Sequence, residues 1–368
     1  MRVTAVTTWF PTTRAPSRGS FVVRDLHAIA RHADVRLIHL VPAHDDDGTR
    51  RLVHEGIEVT RIPFTPSRPG SALAASRALH CALEGSDLVH TMAFSSLLPL
   101  LARRPRMPWL HTEHWSALTT PATLPAPLRA ALPVLARALN RPDHVTSVCE
   151  FLARPIRDVR GSRPVSIVPC IVDPAPLVPR RGRSDGALRL VSTGGLIDRK
   201  DPLIAVETLA RLVEGGVDAH LSWLGDGPLR AEVLARAAQL NVAHRLELPG
   251  NQSSTQVRAA LEGADLFFGP TKADNFFVSA AEAIVAGRPV VLGATGGQGE
   301  YTAPEVGELV ATQDAGAYAE AIVDLDARTR RLSSETIAAT IGDRFSTAHV
   351  GALYAEAYAA TAATGTAG

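Results

Sequence analysis

Residues 188–214 read LRLVSTGGLIDRKDPLIAVETLARLVE. A β-rich run over 188–193 meets a glycine pair, and a helical stretch follows over 202–214. This strand–loop–helix unit recurs on both sides of the segment. Repeated alternation of that kind argues for parallel α/β architecture. Downstream, strands are expected at 220–224, 246–248, 266–269, 290–292 and 309–310, with helices at 229–239, 255–262, 278–286 and 315–325. Upstream, strands are expected at 3–7, 35–41, 57–64, 88–92, 109–112, 144–148 and 165–172, with helices such as 21–31, 97–104 and 127–139. Residues 43–51 and 65–69 read as polar loops. Residues 347–360 are Ala-rich and helix-forming, with Tyr354 and Tyr358 at i, i+4 spacing, and 361–368 read as a frayed tail.

The alternation breaks once, at 173–186 (DPAPLVPRRGRSDG), where three prolines fall in seven residues and no apolar period survives. That composition reads as an interdomain linker. A chain of 368 residues suits two domains. The expected division is a first domain over 1–172, the linker over 173–186, and a second domain over 187–345. Helix 346–361 then returns to the first domain. The formal net charge of +1 conceals an asymmetry. Residues 1–183 hold 24 Arg against 14 acidic residues, while 184–368 hold 14 basic against 23 acidic residues. Halves at +10 and −9 suggest different jobs.

Several classes are disfavoured. The hydrophobic share of 46% and charged share of 20% argue against disorder. No apolar run reaches the ~18 residues of a membrane-spanning helix. Met1–Thr7 lacks the apolar core and cleavage site of a signal peptide and reads as a first strand. Cys81, Cys149 and Cys170 are too few and too scattered for a disulfide framework or a zinc site and read as buried free thiols in a reducing cytoplasm. No nucleic-acid-binding motif accompanies the arginines.

Residues 272–289, KADNFFVSAAEAIVAGRP, carry the richest chemistry. Asp274 precedes a helix and Glu282 follows eight residues later. The helix start at Val278 and Ser279 offers backbone N–H groups and a positive dipole end, an anion site. Acceptors beside such a site suit a sugar hydroxyl, although a solvated acidic pair has the same spacing. In TGGLIDRK (193–200), Gly194 and Gly195 permit close backbone approach, and Arg199 and Lys200 supply charge for a diphosphate. Neither a Walker loop nor a dinucleotide fingerprint is present. Only Lys200 and Lys272 among 38 basic residues are lysines, and both fall in these segments. LGDGP (224–228) reads as a structural turn with Pro228 at the first helical position. In the first half, Gly19 places bare backbone at a helix start. LHTEHW (110–115) sets His111, Glu113 and His114 at a strand end without metal-site spacing. Those positions suit hydrogen bonding or proton transfer to a substrate.

Together these motifs resemble the retaining glycosyltransferases of family 4, with the GT-B fold of two Rossmann-like doubly wound domains facing a central cleft and a C-terminal helix crossing back to the first. The family's E-x7-E motif is matched by Asp274-Asn275-Phe276-Phe277…Glu282, with Asp274 for the first Glu and Phe277 for a glycine. Its G-R-L…K-G segment is matched by Gly194-Gly195-Leu196…Lys200-Asp201, with Gly195 for the diphosphate Arg. Gly225–Pro228, Gly296–Glu300 and residues 168–173 match further family segments.

The resemblance implies the roles. Lys200 would contact the donor diphosphate, with Arg199, Gly19, Gly194 and Gly195 around it. Glu282 would hold the ribose and Asp274 the donor sugar. Amides from Asn275, Phe276, Phe277, Val278 and Ser279 would bind sugar and phosphate, and the base would lie near Leu248 and Asn251. His111, with Glu113 and His114, would face the acceptor, so that His111, Lys200 and Asp274 form the catalytic set. The co-substrate would be a UDP- or GDP-type sugar, with no cofactor and no metal ion. The acceptor would be a small molecule, glycan or lipid. The arginine excess suits an anionic acceptor or an acidic membrane surface met through Arg103, Arg104 and Arg106. The protein would be cytoplasmic, or peripheral at the inner membrane face. A nucleotide-sugar epimerase or an inactive member of the fold remains open as an alternative.

Overall fold

The computed structural model describes residues 1–16, 18–174, 176–180 and 186–365. The chain divides into two compact units, Met1–Ile171 with Phe345–Gly368, and Val172–Arg344. Of the expected linker, residues 175 and 181–185 lie outside the described residues. The Arg180 guanidinium, at its described end, donates to the Thr329 and Asp265 carbonyls of the second unit.

In the first unit the strands are β1 (Arg2–Thr7), β2 (Asp34–Val41), β3 (Arg51–His54), β4 (Ile57–Pro63), β5 (Leu88–Met92), β6 (Trp109–Glu113), β7 (His144–Ser147) and β8 (Val165–Ile167). The helices are α1 (Ser20–Ala30), α2 (Pro69–Ala82), α3 (Leu98–Leu101), α4 (Ala126–Ala136) and α5 (Glu150–Arg160). The sheet order is β3-β4-β2-β1-β5-β6-β7-β8, parallel except for β3. The second unit holds β9 (Leu188–Thr193), β10 (Ala219–Leu224), β11 (Leu246–Gly250), β12 (Leu266–Gly269), β13 (Val290–Gly293) and β14 (Gly307–Val310). Its helices are α6 (Pro202–Glu214), α7 (Arg230–Gln239), α8 (Ser254–Gly263), α9 (Val278–Val285), α10 (Ala315–Thr329) and α11 (Ser334–Ala338). This sheet is wholly parallel, ordered β11-β10-β9-β12-β13-β14. The last helix, α12 (Thr347–Gly365), belongs to the first unit.

Both sheets grow outward from a central strand and then restart on its other side. The strand order reverses between β1 and β5 in one sheet and between β9 and β12 in the other. Loops leaving the carboxyl ends of strands diverge at such a switch point and open a ligand crevice there. In the second unit Leu190, Trp223 and Phe268 of the sheet bury against Leu209 of α6 and Tyr318 and Ile322 of α10. In the first, Val3, Leu88 and Leu110 bury against Ile29 of α1 and Tyr354 and Tyr358 of α12. Gly351 lets α12 press on α1, since a Cβ there would lie 2.8 Å from the Ala28 carbonyl oxygen.

Several local expectations change. The polar loop ends in a strand, β3, which turns back into β4 through Glu55 and Gly56, both at positive φ (48° and 84°). That left-handed pair matches the strand twist, as hairpin turns require. The strand expected over 165–172 stops at Ile167, because Pro169 has no N–H for the ladder. The helix expected over 97–104 is a 3-10 turn at Phe94–Leu97 followed by the short α3. Pro228 lies ahead of α7 rather than at its first position. Of the tail expected to fray, residues 361–365 continue α12, where the Thr361 hydroxyl donates to the Ala357 carbonyl at 2.6 Å, and residues 366–368 lie outside the described residues. The thiols are not uniformly buried. Cys81 is exposed and Cys170 half-buried, while Cys149 caps α5 by accepting from the Leu152 N–H.

Candidate functional site

At the switch point of the second unit, two loops leave adjacent strands. One runs from β9 through Gly194 to Lys200, and the other from β12 through Thr271 to Phe277. They are stitched together. The Lys272 N–H and the Thr271 hydroxyl donate to the Arg199 carbonyl at 2.9 and 3.0 Å. The Lys272 ammonium meets Asp198 at 2.6 Å and Asp201 at 3.6 Å. Gly225 sits directly on the Gly194 carbonyl, where a Cβ would come within 2.0 Å. Gly195 has ordinary contact distances around its missing Cβ, at 3.5 Å or more, so nothing there demands glycine.

The stitching brings the expected charges to one point. The Lys200 ammonium and the Arg199 guanidinium both donate to Asp274 Oδ2 at 2.7 Å, and the Phe277 N–H donates to Oδ1 at 3.2 Å. Burial opposes ionisation of Asp274, but the two cations win and hold its carboxyl below the usual range. Burial pulls the Lys200 ammonium below the ordinary lysine value despite the attraction of Asp274, and Arg199 pulls it the same way.

Phe277 begins α9 in the left-handed conformation, φ 56° and ψ 63°, followed by Val278 and Ser279, both half-buried. Opening N–H groups of a helix lack intrahelical partners, and the dipole places positive potential there. Glu282 lies half-buried on the second turn of α9, and Asn275 and Phe276 are buried. Residues 296–300 brace the loop from behind. The Gly297 N–H donates to the Asp274 carbonyl at 3.1 Å, and Gly296 lies so close to that carbonyl that a Cβ would come within 2.0 Å. Two braces escaped the sequence reading. The Tyr301 hydroxyl donates to the Phe277 carbonyl at 2.8 Å, and Arg230 donates to the Leu248 carbonyl at 2.7 Å. Asn251, just beyond β11, is exposed.

In the first unit the expected residues gather on and beside β6. His111 is fully buried, its Nδ1 3.0 Å from the Thr91 hydroxyl and its Nε2 3.2 Å from Glu113 Oε2. Glu113 Oε1 accepts the N–H groups of His114 and Trp115, both at 2.8 Å. Burial pushes the His114 imidazole down to about 4. Gly19 caps α1 at φ 71°, and a Cβ there would lie 2.3 Å from the Trp9 carbonyl oxygen. The loop leading to it is latched by the acidic run read above as a plain loop. Asp47 accepts the Thr13 N–H at 3.1 Å and is held by both oxygens on Arg61 Nη1 at 2.8 and 2.9 Å, while Asp45 pairs with Arg18 at 2.8 Å. Three acidic residues in a loop carry no sequence signal of which loop they grip. Among the described residues no three His, Cys, Asp or Glu side chains group as a metal site would, and no helix is long and apolar enough to cross a membrane.

Two doubly wound, mainly parallel sheets, each with a switch point, define a two-domain Rossmann-like protein of the GT-B class. The glycosyl transferase 4-like domain model matches residues 19–170, and the glycosyl transferases group 1 model matches residues 187–327. The chain belongs to that group 1, family 4-like glycosyltransferase family. It is 27% identical over 216 residues to a 2-deoxystreptamine glucosyltransferase of Streptomyces kanamyceticus, covering 54% of this chain and 56% of the relative. It is 30% identical over 195 residues to a GDP-mannose-dependent alpha-(1-6)-phosphatidylinositol dimannoside mannosyltransferase of Mycobacterium tuberculosis, covering 50% and 48%. The chain thus spans about half the length of these curated relatives. Among solved structures, a sucrose-phosphate synthase of Thermosynechococcus elongatus matches with a TM-score of 0.80 at 19% identity, covering 99% of this chain and 100% of the other. Anabaena HepE in complex with UDP and glucose matches with 0.75 at 16%, covering 98% and 99%. At such identities these two speak for the fold alone.

Proposed function

We propose that the protein is a retaining glycosyltransferase that moves a sugar from a nucleotide diphosphate sugar to an acceptor hydroxyl or amine without a metal ion. The observation that carries this reading is the convergence of Lys200 and Arg199 on Asp274 at the start of α9. In the reaction the bond from the anomeric carbon to the diphosphate breaks, and the nucleoside diphosphate leaves with the electron pair. The acceptor atom bonds to the same face of that carbon and gives up its proton. Negative charge grows on the leaving group, and fixed cations with helix-start amides stabilise such charge without reorganising. Asp274 supplies an acceptor for donor-sugar hydroxyls, and Glu282 an acceptor for the ribose.

The first unit would hold the acceptor near His111 and the Gly19 loop. Its arginine excess favours an anionic acceptor or an acidic membrane surface, and the Mycobacterium tuberculosis relative is named for a phosphatidylinositol acceptor. UDP and GDP sugars are the donors to try first, since HepE is described with UDP and that relative with GDP-mannose. The reading places the protein in the cytoplasm or peripherally on the inner membrane face.

The test is a nucleotide-sugar panel screened by thermal shift, followed by product mass and anomeric configuration by NMR with candidate acceptors. A product of retained configuration, formed equally well in EDTA, is expected. Inversion would overturn the stereochemical part, and rescue of an EDTA-dead enzyme by Mg²⁺ or Mn²⁺ would overturn the metal-free part. Conversion of the donor without any acceptor would replace transfer with epimerisation.

A further inference from the structure

We propose that Phe277 is a positioning residue for Lys200: its ring is the floor on which the Lys200 ammonium is held against Asp274. The inference begins from an outlier. Phe277 is a non-glycine residue at φ 56°, and it is the residue from which α9 starts. A bulky L-residue held there costs on the order of 1–3 kcal/mol and persists only where its surroundings over-determine it.

The surroundings do so on every side. The Phe277 N–H donates to Asp274 Oδ1 at 3.2 Å, and its carbonyl accepts the Tyr301 hydroxyl at 2.8 Å. Its ring is 3% exposed and stands edge-on to Phe267, with centroids 5.9 Å apart. Room for the ring exists because residue 269 is glycine. A Cβ at Gly269 would come within 2.7 Å of ring atoms Cε1 and Cζ. On the remaining side the Lys200 ammonium lies 3.5 Å from the ring centroid, well inside the ~6 Å reach of a cation–π contact.

Lys200 is thus held between a π face and a carboxylate. An ammonium on a four-carbon stem otherwise samples many positions. With the ring beneath it and Asp274 beside it, the charge is kept at the mouth of the Gly194 loop. The Lys200 stem lies alongside Gly194, with Cε 3.6 Å from where a Cβ would be, an ordinary contact distance. The lowered proton affinity of Lys200 accords with this enclosure. The consequence for catalysis rests on the proposed donor-diphosphate role of Lys200, but the positioning itself does not.

Lysine-selective isotope labelling tests it without any substrate, because the chain has only Lys200 and Lys272. In Phe277→Leu, the side-chain signals of Lys200 are expected to lose their upfield ring-current shift. Its titration midpoint should fall further below that of a free lysine, because the ring's attraction for the charged form is lost, while Lys272 is unchanged. Gly269→Ala supplies the second variant, since it pushes the ring from beneath Lys200 without touching the Phe277 backbone. It is expected to move the same signals in the same direction, by less. Unchanged Lys200 signals in both variants, or equal movement of Lys272, would overturn the proposal. The functional arm is titration with UDP and GDP. Phe277→Leu is expected to weaken binding of the preferred diphosphate about tenfold, with a KM increase exceeding the kcat loss. If the unsubstituted protein binds neither diphosphate, the transferase reading fails while the lysine signals still decide the role of Phe277.

Discussion

Both units carry their candidate residues on a mainly parallel sheet and its loops, and build them in opposite ways. In the second unit the groups are charged and sit on loops. Lys200, Arg199 and Asp274 come together only because main-chain and side-chain bonds stitch one loop to the other. In the first unit His111 and Glu113 are on a strand, fixed by the β-ladder, and their polar atoms are spent on Thr91 and the main chain. Loop-borne ions gain freedom to meet a ligand's charge. Strand-borne groups gain rigidity, and their removal is felt first by the fold.

Four measurements bear on that contrast. The largest effect is expected from Lys200→Ala, which should lower turnover by about 10²–10³. Its unfolding midpoint should barely move, because Asp274 keeps Arg199. Steady-state kinetics beside urea melts checks both halves, and near-normal turnover would remove the lysine from the reaction.

Acid should act mainly through the first unit. Burial holds His90 at about 3 and His39 and His114 at about 4, whereas an unfolded imidazole titrates near 6.5. Between about pH 6.5 and 4 the unfolded chain therefore takes up three protons that the folded chain refuses. Asp25, pushed up to about 7 by burial, works the other way, since the folded chain keeps a proton that the unfolded carboxyl releases. The balance is two extra protons on the unfolded side near pH 5. Stability should then fall as the pH drops through that window, by on the order of 3 kcal/mol for each unit. Urea melts at half-unit steps of pH would show this slope, and a flat profile would contradict it.

Glu113→Gln comes next. The Gln amide keeps one acceptor oxygen for the two N–H groups but turns an NH2 toward His111 Nε2, where the carboxylate presents an oxygen. A loss of about 1–3 kcal/mol is expected, measured by urea unfolding. A drop in activity without that loss would reverse the contrast drawn here. The smallest effect is expected from Tyr358→Phe, which removes the hydroxyl 2.9 Å from His90 Nδ1 and should cost about 1 kcal/mol of unfolding free energy.

The fold class was legible because it rests on periodicity. Strand–helix alternation reads directly from apolar spacing, and most strand positions fall within a residue or two of expectation. The elements that escaped lacked such a signal. β3 is an alternately exposed and half-buried edge strand that leaves through an uncommon Glu-Gly turn, and α2 and α5 carry proline within or at the start of a helix. In the candidate site, Lys200, Asp274 and Phe277 were visible as a pattern of residue types beside glycine-rich turns. Tyr301, Gly269, Thr91 and Asp47 were not, because each acts on a partner 20 or more residues away or only by leaving space.

The sequence alone determined the alternating architecture, the opposite charges of its halves and the family motifs with their departures. These are properties of spacing and composition, which need no third dimension. Tertiary structure decided what the departures mean. It turned the Phe277 ring inward under Lys200, joined two cations to one carboxylate and left Gly195 able to carry a Cβ at ordinary contact distances. Such contacts join residues 74 to 77 positions apart, and only the parallel pairing of β9 with β12 brings their loops together.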